Sequence, residues 1–269
     1  GGIIASMLGV GSISFLYYSD RLMEFPLGLF GIALATVMLP QLSRLWANGA
    51  RDEFAQSLDW SMKLAVLIAV PSAVGLFVLA EPLVATIFYR GEFDSHALQM
   101  TALALRAYAI GLVGFSFVKI LAPAFFARED TRTPVRIGII ALVVNLALSI
   151  ASAWYLTRIG FAGPHVGLAG ATSAAALLNA WLLYRGLRRD GVMTASKGWG
   201  SLAVQSLVAN AGMWVALFWL QRPLTWWIDA GLLDRVWWLM ISVVAGAGVY
   251  SATLLITGLR PSHFSFRRH

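Results

Sequence analysis

Of 269 residues, 59% are hydrophobic and 12% charged, against about 25% charged in a soluble domain, so the chain cannot clothe a water-facing surface of ordinary size. A net charge of +7 would suggest nucleic acid in a soluble protein; in a chain this apolar it is first weighed against membrane topology. Cysteine is absent, which removes disulfides and thiolate metal sites, and His96, His165, His263 and His269 are too scattered to form a metal-ligand pair.

Residues 1–10 carry no initiator Met and no charged leader, so they do not read as a signal peptide. They are expected to be the tail of a transmembrane helix that starts upstream. The first full span is expected over 11–43. It holds a polar knot, Tyr17-Tyr18-Ser19-Asp20-Arg21-Leu22-Met23-Glu24-Phe25-Pro26, followed by an uncharged run to Ser43. At helical spacing Tyr17, Asp20, Arg21 and Glu24 share one face, an arc of about 100°. Ionisable groups inside a membrane need a partner or a watery cavity. One reading is a self-neutralising pair that locks helices or sits at the headgroups. The other is a cavity wall whose Arg21 binds an anion while Asp20 and Glu24 set its position and charge. Pro26 is placed to kink this span, and Gly28 and Gly31 to allow close helix contact.

A polar loop over 44–53 leads to a span over 58–80, where Asp59 and Lys63 have the spacing of a helical ion pair. Residues 81–89 are too few to cross and read as an interfacial helix. Asp94 or Ser95 can cap the next span, 96–126. Arg106 and Lys119 lie within it on different faces. Arg106 could line the cavity or snorkel outward, with snorkelling the default, whereas Lys119 lies deeper and is the better functional candidate. After a charged loop, Thr133-Pro134 reads as N-cap and first helical residue of a span over 135–156. There Asn145 and Ser149, four apart, suggest an interhelical hydrogen bond or, alternatively, a weak cation site. A span over 166–184 carries Gly167, Ala171 and Ala175 as a close-packing ridge, and 185–197 reads as a basic loop and the main internal boundary. Spans over 199–220 and 236–259 close the chain, with Trp226, Trp227, Trp237 and Trp238 expected as an interfacial belt and a basic tail after them.

This gives an all-α polytopic bundle of about seven spans. Of the 20 Lys and Arg residues, twelve fall in one set of alternate loops and the tail, four in the other set and four within spans. Positive residues stay inside, so the richer side and the C-terminus are assigned to the cytoplasm. The basic charge is then a topology signal and no nucleic-acid partner is implied.

The knot, with Gly31 and Leu39-Pro40-Gln41-Leu42-Ser43 after it, resembles the lipid II flippases of bacterial peptidoglycan synthesis, the MurJ/MviN family. So does Lys119-Ile120-Leu121-Ala122-Pro123-Ala124-Phe125-Phe126-Ala127-Arg128-Glu129-Asp130-Thr131-Arg132-Thr133-Pro134-Val135. The resemblance runs in order through the last helix pair. It implies membership of the multidrug/oligosaccharidyl-lipid/polysaccharide exporter superfamily and a fold of fourteen helices in two six-helix lobes plus a terminal pair. Residues 11–190 would then be the C-terminal lobe, and 191–269 the terminal pair, with its groove for the lipid tail, and the tail. The lobes would alternate access about a central cationic cavity. The substrate implied is the undecaprenyl-pyrophosphate-linked precursor, moved to the outer leaflet of the bacterial inner membrane without a cofactor. The partners implied are membrane lipids and an N-terminal lobe outside this sequence. Arg21 corresponds to the family's cavity arginine, with Asp20 and Glu24 as its flanking acids. Some members bind sodium through an Asn and an Asp one turn apart. Asn145 matches the first, but Ser149 stands at the second and removes a carboxylate. Alternatives are a related exporter of polysaccharide-linked lipid or drugs, and a non-transporting membrane scaffold. No nucleophile–base–orienter set supports an enzyme.

Overall fold

A computed structural model describes residues 12–160, 163–193 and 198–259, side chains at 29–35 excepted. The described residues form nine α-helices and no strand: α1 (Ser12–Ala47), α2 (Arg51–Val78), α3 (Ala80–Phe88), α4 (Ser95–Phe126), α5 (Arg132–Arg158), α6 (His165–Arg189), α7 (Trp199–Leu220), α8 (Leu224–Asp229) and α9 (Leu232–Ile256). In lipid a backbone must satisfy its own polar groups, which is why such apolar segments fold as helices. Six helices, α2, α4, α5, α6, α7 and α9, are long and apolar enough to cross a bilayer, making this a multi-pass membrane protein. At 36 residues, α1 is about 54 Å long, longer than the hydrocarbon layer of about 30 Å. The proposed tail of a preceding helix and the basic C-terminal tail lie outside the described residues.

The bundle is organised on α4, which packs against α1, α2, α3 and α6. Two apolar cores lie along it. One joins Met38 and Leu42 of α1, Phe54 and Leu58 of α2, Phe125 of α4 and Leu187 of α6. The other joins Met23 and Leu27 of α1, Leu76 of α2, Val84 of α3, Leu98, Leu105 and Leu112 of α4 and Trp227 of α8. The order of these contacts shows that α1 and α4 run parallel. Small residues set the α4–α6 distance: a Cβ on Gly114 would lie 2.7 Å from the backbone nitrogen of Leu177. Ser173 Oγ uses the same proximity to donate to Ala107 O at 2.7 Å. The expected ridge on α6 also packs closely, since a Cβ on Gly167 would meet Ser152 Oγ of α5 at 2.7 Å.

The terminal helices α7 and α9 pack on each other and dock on α2 and α3. Tyr250 Oη donates to Leu67 O at 2.8 Å, Gln221 Nε2 to Val78 O at 3.2 Å, and Trp199 Nε1 to Asp59 Oδ1 at 2.7 Å.

Several expectations need correction. Residues 44–47 and 185–189 continue α1 and α6 rather than forming loops, because their long cationic side chains can leave the bilayer while the backbone stays helical. Gly28 faces open space, with nothing within 4 Å of an added Cβ; Gly31 lies among the undescribed side chains. Thr133 is not the cap of α5: the helix starts at Arg132, and Asp130 Oδ1 accepts the Thr133 N–H at 3.0 Å. The Thr133 hydrogen bonds, then the Arg128 charge, hold the Asp130 carboxyl below the usual carboxylate range. The tryptophans do not act as one belt. Trp237 is 66% exposed, whereas Trp227 is 2% exposed inside the protein.

Two measurements on purified protein in detergent check this packing. Gly114→Val should lower stability by about 1–3 kcal/mol, because its neighbours, in Ala176 and Leu177, are backbone atoms that cannot rotate away, while Gly28→Ala should raise it by about 0.5–1 kcal/mol. The contribution of Asp130, whose folded pKa is depressed, is complete above the unfolded value of about 3.9 and lost as pH falls through the folded one. Asp130→Ala should therefore lower the thermal midpoint at pH 7 and make less difference in acid.

Candidate functional site

The polar knot sits on the first half of α1, and that helix's packing decides where each side chain points. Ser19 is fully buried and donates to Thr101 O of α4 at 2.8 Å and to Phe15 O at 2.6 Å. Met23 and Leu27 continue this inward stripe. The opposite face carries Tyr17, Arg21, Glu24 and Phe25, all exposed. Arg21 Nη1 lies 3.0 Å from Glu24 Oε2, with the two side chains 58% and 51% exposed. The Arg21 guanidinium also stands 5.1 Å from the centroid of the Tyr17 ring. The structure thus brings together Tyr17, Arg21 and Glu24.

Asp20 departs from the shared face. It is half-buried, at the edge of the inward stripe of α1. One residue of helix, about 100°, separates it from Arg21, and Arg21 takes Glu24 as its partner instead.

Lys119 is half-buried on α4. It is not brought to the knot: from Thr101, level with Ser19, it is roughly 27 Å further along the helix. Among the described residues it forms no ion pair. Asn145 and Ser149 do meet, but within α5: Ser149 Oγ donates to Asn145 Oδ1 at 3.3 Å. The expected interhelical bond is therefore an intrahelical one, which four-residue spacing on a single helix permits equally well. No group of three or more His, Cys, Asp or Glu residues placed to hold a metal occurs among the described residues.

The remaining intramembrane charges are structural. Lys63 Nζ pairs with Asp59 Oδ2 at 2.8 Å as its spacing suggested. Arg106 does not snorkel; it reaches Glu81 of α3 at 2.9 Å and Phe77 O at 3.3 Å, bracing the break at Leu79 between α2 and α3. Arg235 was invisible as a functional group in the sequence, where it reads as an outer-loop cation. It is 7% exposed and donates to Tyr89 O at 3.2 Å, Ala85 O at 3.4 Å and Ile228 O at 2.7 Å. A guanidinium at the C-terminal ends of α3 and α8 neutralises their exposed carbonyls. Only its position just inside a helix start hinted at this, because its acceptors lie far away in the chain.

An exposed guanidinium with one Nη on a carboxylate still has N–H donors directed outward, in a fork that matches two phosphate oxygens.

Comparison with known proteins agrees in extent and order. The family described as "Lipid II flippase MurJ" matches residues 2–234. A probable lipid II flippase MurJ of Vibrio cholerae is 43% identical over 257 residues, covering 96% of this chain and 48% of its own length. The Haemophilus influenzae protein of that name is 43% identical over 267 residues, 97% of this chain and 51% of its own. A lipid II flippase MurJ of Burkholderia cenocepacia is 39% identical over 265 residues, 98% of this chain and 50% of its own. A solved structure titled "Lipid II flippase MurJ, inward closed conformation" superposes with a TM-score of 0.75 at 25% identity, covering 94% of this chain and 48% of that one. The chain spans about half the length of these relatives.

Removing the buried guanidinium checks the architecture behind the knot. Arg235→Ala strips the carbonyls of α3 and α8 of their donor and should cost about 2–3 kcal/mol, read as a lower thermal midpoint in detergent. A midpoint unchanged from the parent would show that α9 docks without this contact.

Proposed function

Because this chain belongs to the lipid II flippase MurJ family, we propose that it supplies the C-terminal lobe and terminal helix pair of a transporter that moves lipid II from the cytoplasmic to the outer leaflet. The observation that carries this reading is the exposed Arg21–Glu24 pair on the face of α1 opposite its buried stripe. A charged face on a membrane helix is unfavourable against acyl chains, so it faces water or protein. An N-terminal lobe opposite α1 would close that face into a cavity.

In this mechanism Arg21 holds the pyrophosphate bidentately, since a guanidinium stays charged and fits two phosphate oxygens. Glu24 keeps it oriented and limits its affinity, so that cargo can leave. Asp20, half-buried next to Arg21 in the chain, adds a second acid that sets the charge around the guanidinium. Lys119 offers a second cation far along the path, where the headgroup would be met on the other side of the membrane. Rocking of the two lobes would expose the site alternately to each side. Residues 11–190 act as the lobe, and the pair within 191–269 cradles the lipid tail. Transfer between leaflets makes and breaks no covalent bond, so no enzymatic step is needed. The distribution of Lys and Arg favours a cytoplasmic C-terminus in the bacterial inner membrane.

Two experiments test this. In the full-length protein, Arg21→Ala should abolish complementation of a flippase-depleted bacterium at normal expression, and Arg21→Lys should restore it only partly, because an ammonium loses the bidentate fork. Full growth with both variants would instead favour a scaffold role for the knot. A reporter active only in the cytoplasm, fused after His269, should be active; silence there would reverse the topology and the assigned direction of transport.

A further inference from the structure

Three helices meet around one phenylalanine at the end of the bundle nearest the knot. Phe15 of α1 lies between two imidazoles, with ring centroids 5.3 Å from His165 and 6.3 Å from His96. His165 opens α6 and is 1% exposed, and its Nε2 lies 3.1 Å from Met100 O of α4. The next carbonyl of α4, Thr101 O, takes the hydroxyl of Ser19 at 2.8 Å. Consecutive carbonyls on α4 therefore hold α6 and α1 side by side, and Arg21 follows Ser19 by two positions.

A neutral ring with its proton on Nε2 already satisfies Met100 O. A second proton would place a full charge in a site closed to water. It would do so at the N-terminal end of α6, where the helix already presents positive partial charge. The surroundings do not compensate. From α4 the ring faces His96, itself titratable. From α1 it faces Phe15; before Asp20 that helix carries only the phenols of Tyr17 and Tyr18 as titratable groups, and no carboxylate. At the end of α5, the helix packed on α6, Arg158 is turned onto its own Trp154 ring at 4.4 Å. No carboxylate pairs with His165 among the described residues.

We propose that His165 is a positioning residue with a proton-sensitive contact: neutral, it seats the first part of α1 and so aims Arg21; protonated from the outer side, it releases α1 from α4 and α6. What that release does to transport rests on the function proposed above; the release itself does not. Arg21 lies six residues beyond Phe15, less than two helical turns, so a small rotation of α1 there redirects it.

The test uses full-length protein otherwise free of cysteine, in lipid nanodiscs. Spin labels are placed through Ile13→Cys on α1 and Tyr155→Cys on α5, 51% and 58% exposed in the parent. Their separation is measured at about pH 7.5 and about pH 5, either side of the ordinary imidazole range near 6.5. The distance distribution should lengthen and broaden in acid. His165→Gln, which keeps a donor for Met100 O but cannot titrate there, should hold the neutral distribution at both pH values, while His96→Gln should keep the acid response. Ser19→Val, which removes the neighbouring bond, should give the acid-like distribution already at neutral pH. An acid response surviving in His165→Gln, or lost in His96→Gln alone, overturns the proposal, as does a parent that does not respond. Loss of lipid II transport in a separate leaflet-accessibility assay, with these distances behaving as stated, would count against the flippase reading and leave the switch standing.

Discussion

A charge on a membrane-spanning helix must find a partner or water, and the fold is arranged around that requirement. Asp59 and Lys63 answer each other within α2. Arg106 answers Glu81 and the carbonyl of Phe77. Arg235 pairs with no acid among the described residues, and its two Nη atoms donate to the backbone ends of two short helices. Each of these joins separate turns or elements into one unit. Arg21 is different. Its partner is only a turn away on the same helix, and both remain exposed, on the side of α1 opposite its buried stripe. The same physical rule that ties the other charges into the fold leaves this one on an open face.

The second organising feature is α4. It threads both apolar cores, and its carbonyls at Met100, Thr101 and Ala107 accept side-chain bonds from α6 and α1. Carbonyls already bonded within a helix still have a lone pair to offer, which lets a neighbouring Ser or His bind without breaking the helix. Glycines at 111 and 114 bring α6 close enough for Ser173 to do so. The terminal pair is attached by the same device, with Tyr250 and Gln221 donating to carbonyls of α2. Polar contacts to backbone are favoured here because they add cohesion without burying a second ionisable group.

Much of the molecule was readable in one dimension. Eight of the nine helices among the described residues followed from the length and apolarity of each run, because in lipid the backbone has no alternative to the helix; the short α8 did not. The Asp59–Lys63 pair, the small-residue ridge on α6 and the cap at Asp94 followed from local spacing, since their partners lie within one turn or at a helix end. The knot was visible for the same reason: three charges within five positions of an apolar segment are unusual wherever they point. Arg235 was not visible, nor was the split among the four tryptophans, because both depend on residues over a hundred positions away.

The sequence by itself determined that the chain is a helical membrane protein, which residues carry charge into the bilayer, and which motif places them in a known family. Those properties are local, set by transfer free energy and by the 3.6-residue repeat. Only the tertiary structure decided that Glu24 rather than Asp20 pairs with Arg21, that Arg106 is braced rather than outward, and that Asn145 and Ser149 bond within one helix. Those outcomes turn on which face of each helix its neighbours cover, and that face is chosen by contacts such as Ser19 with Thr101, between residues that the chain holds 82 positions apart.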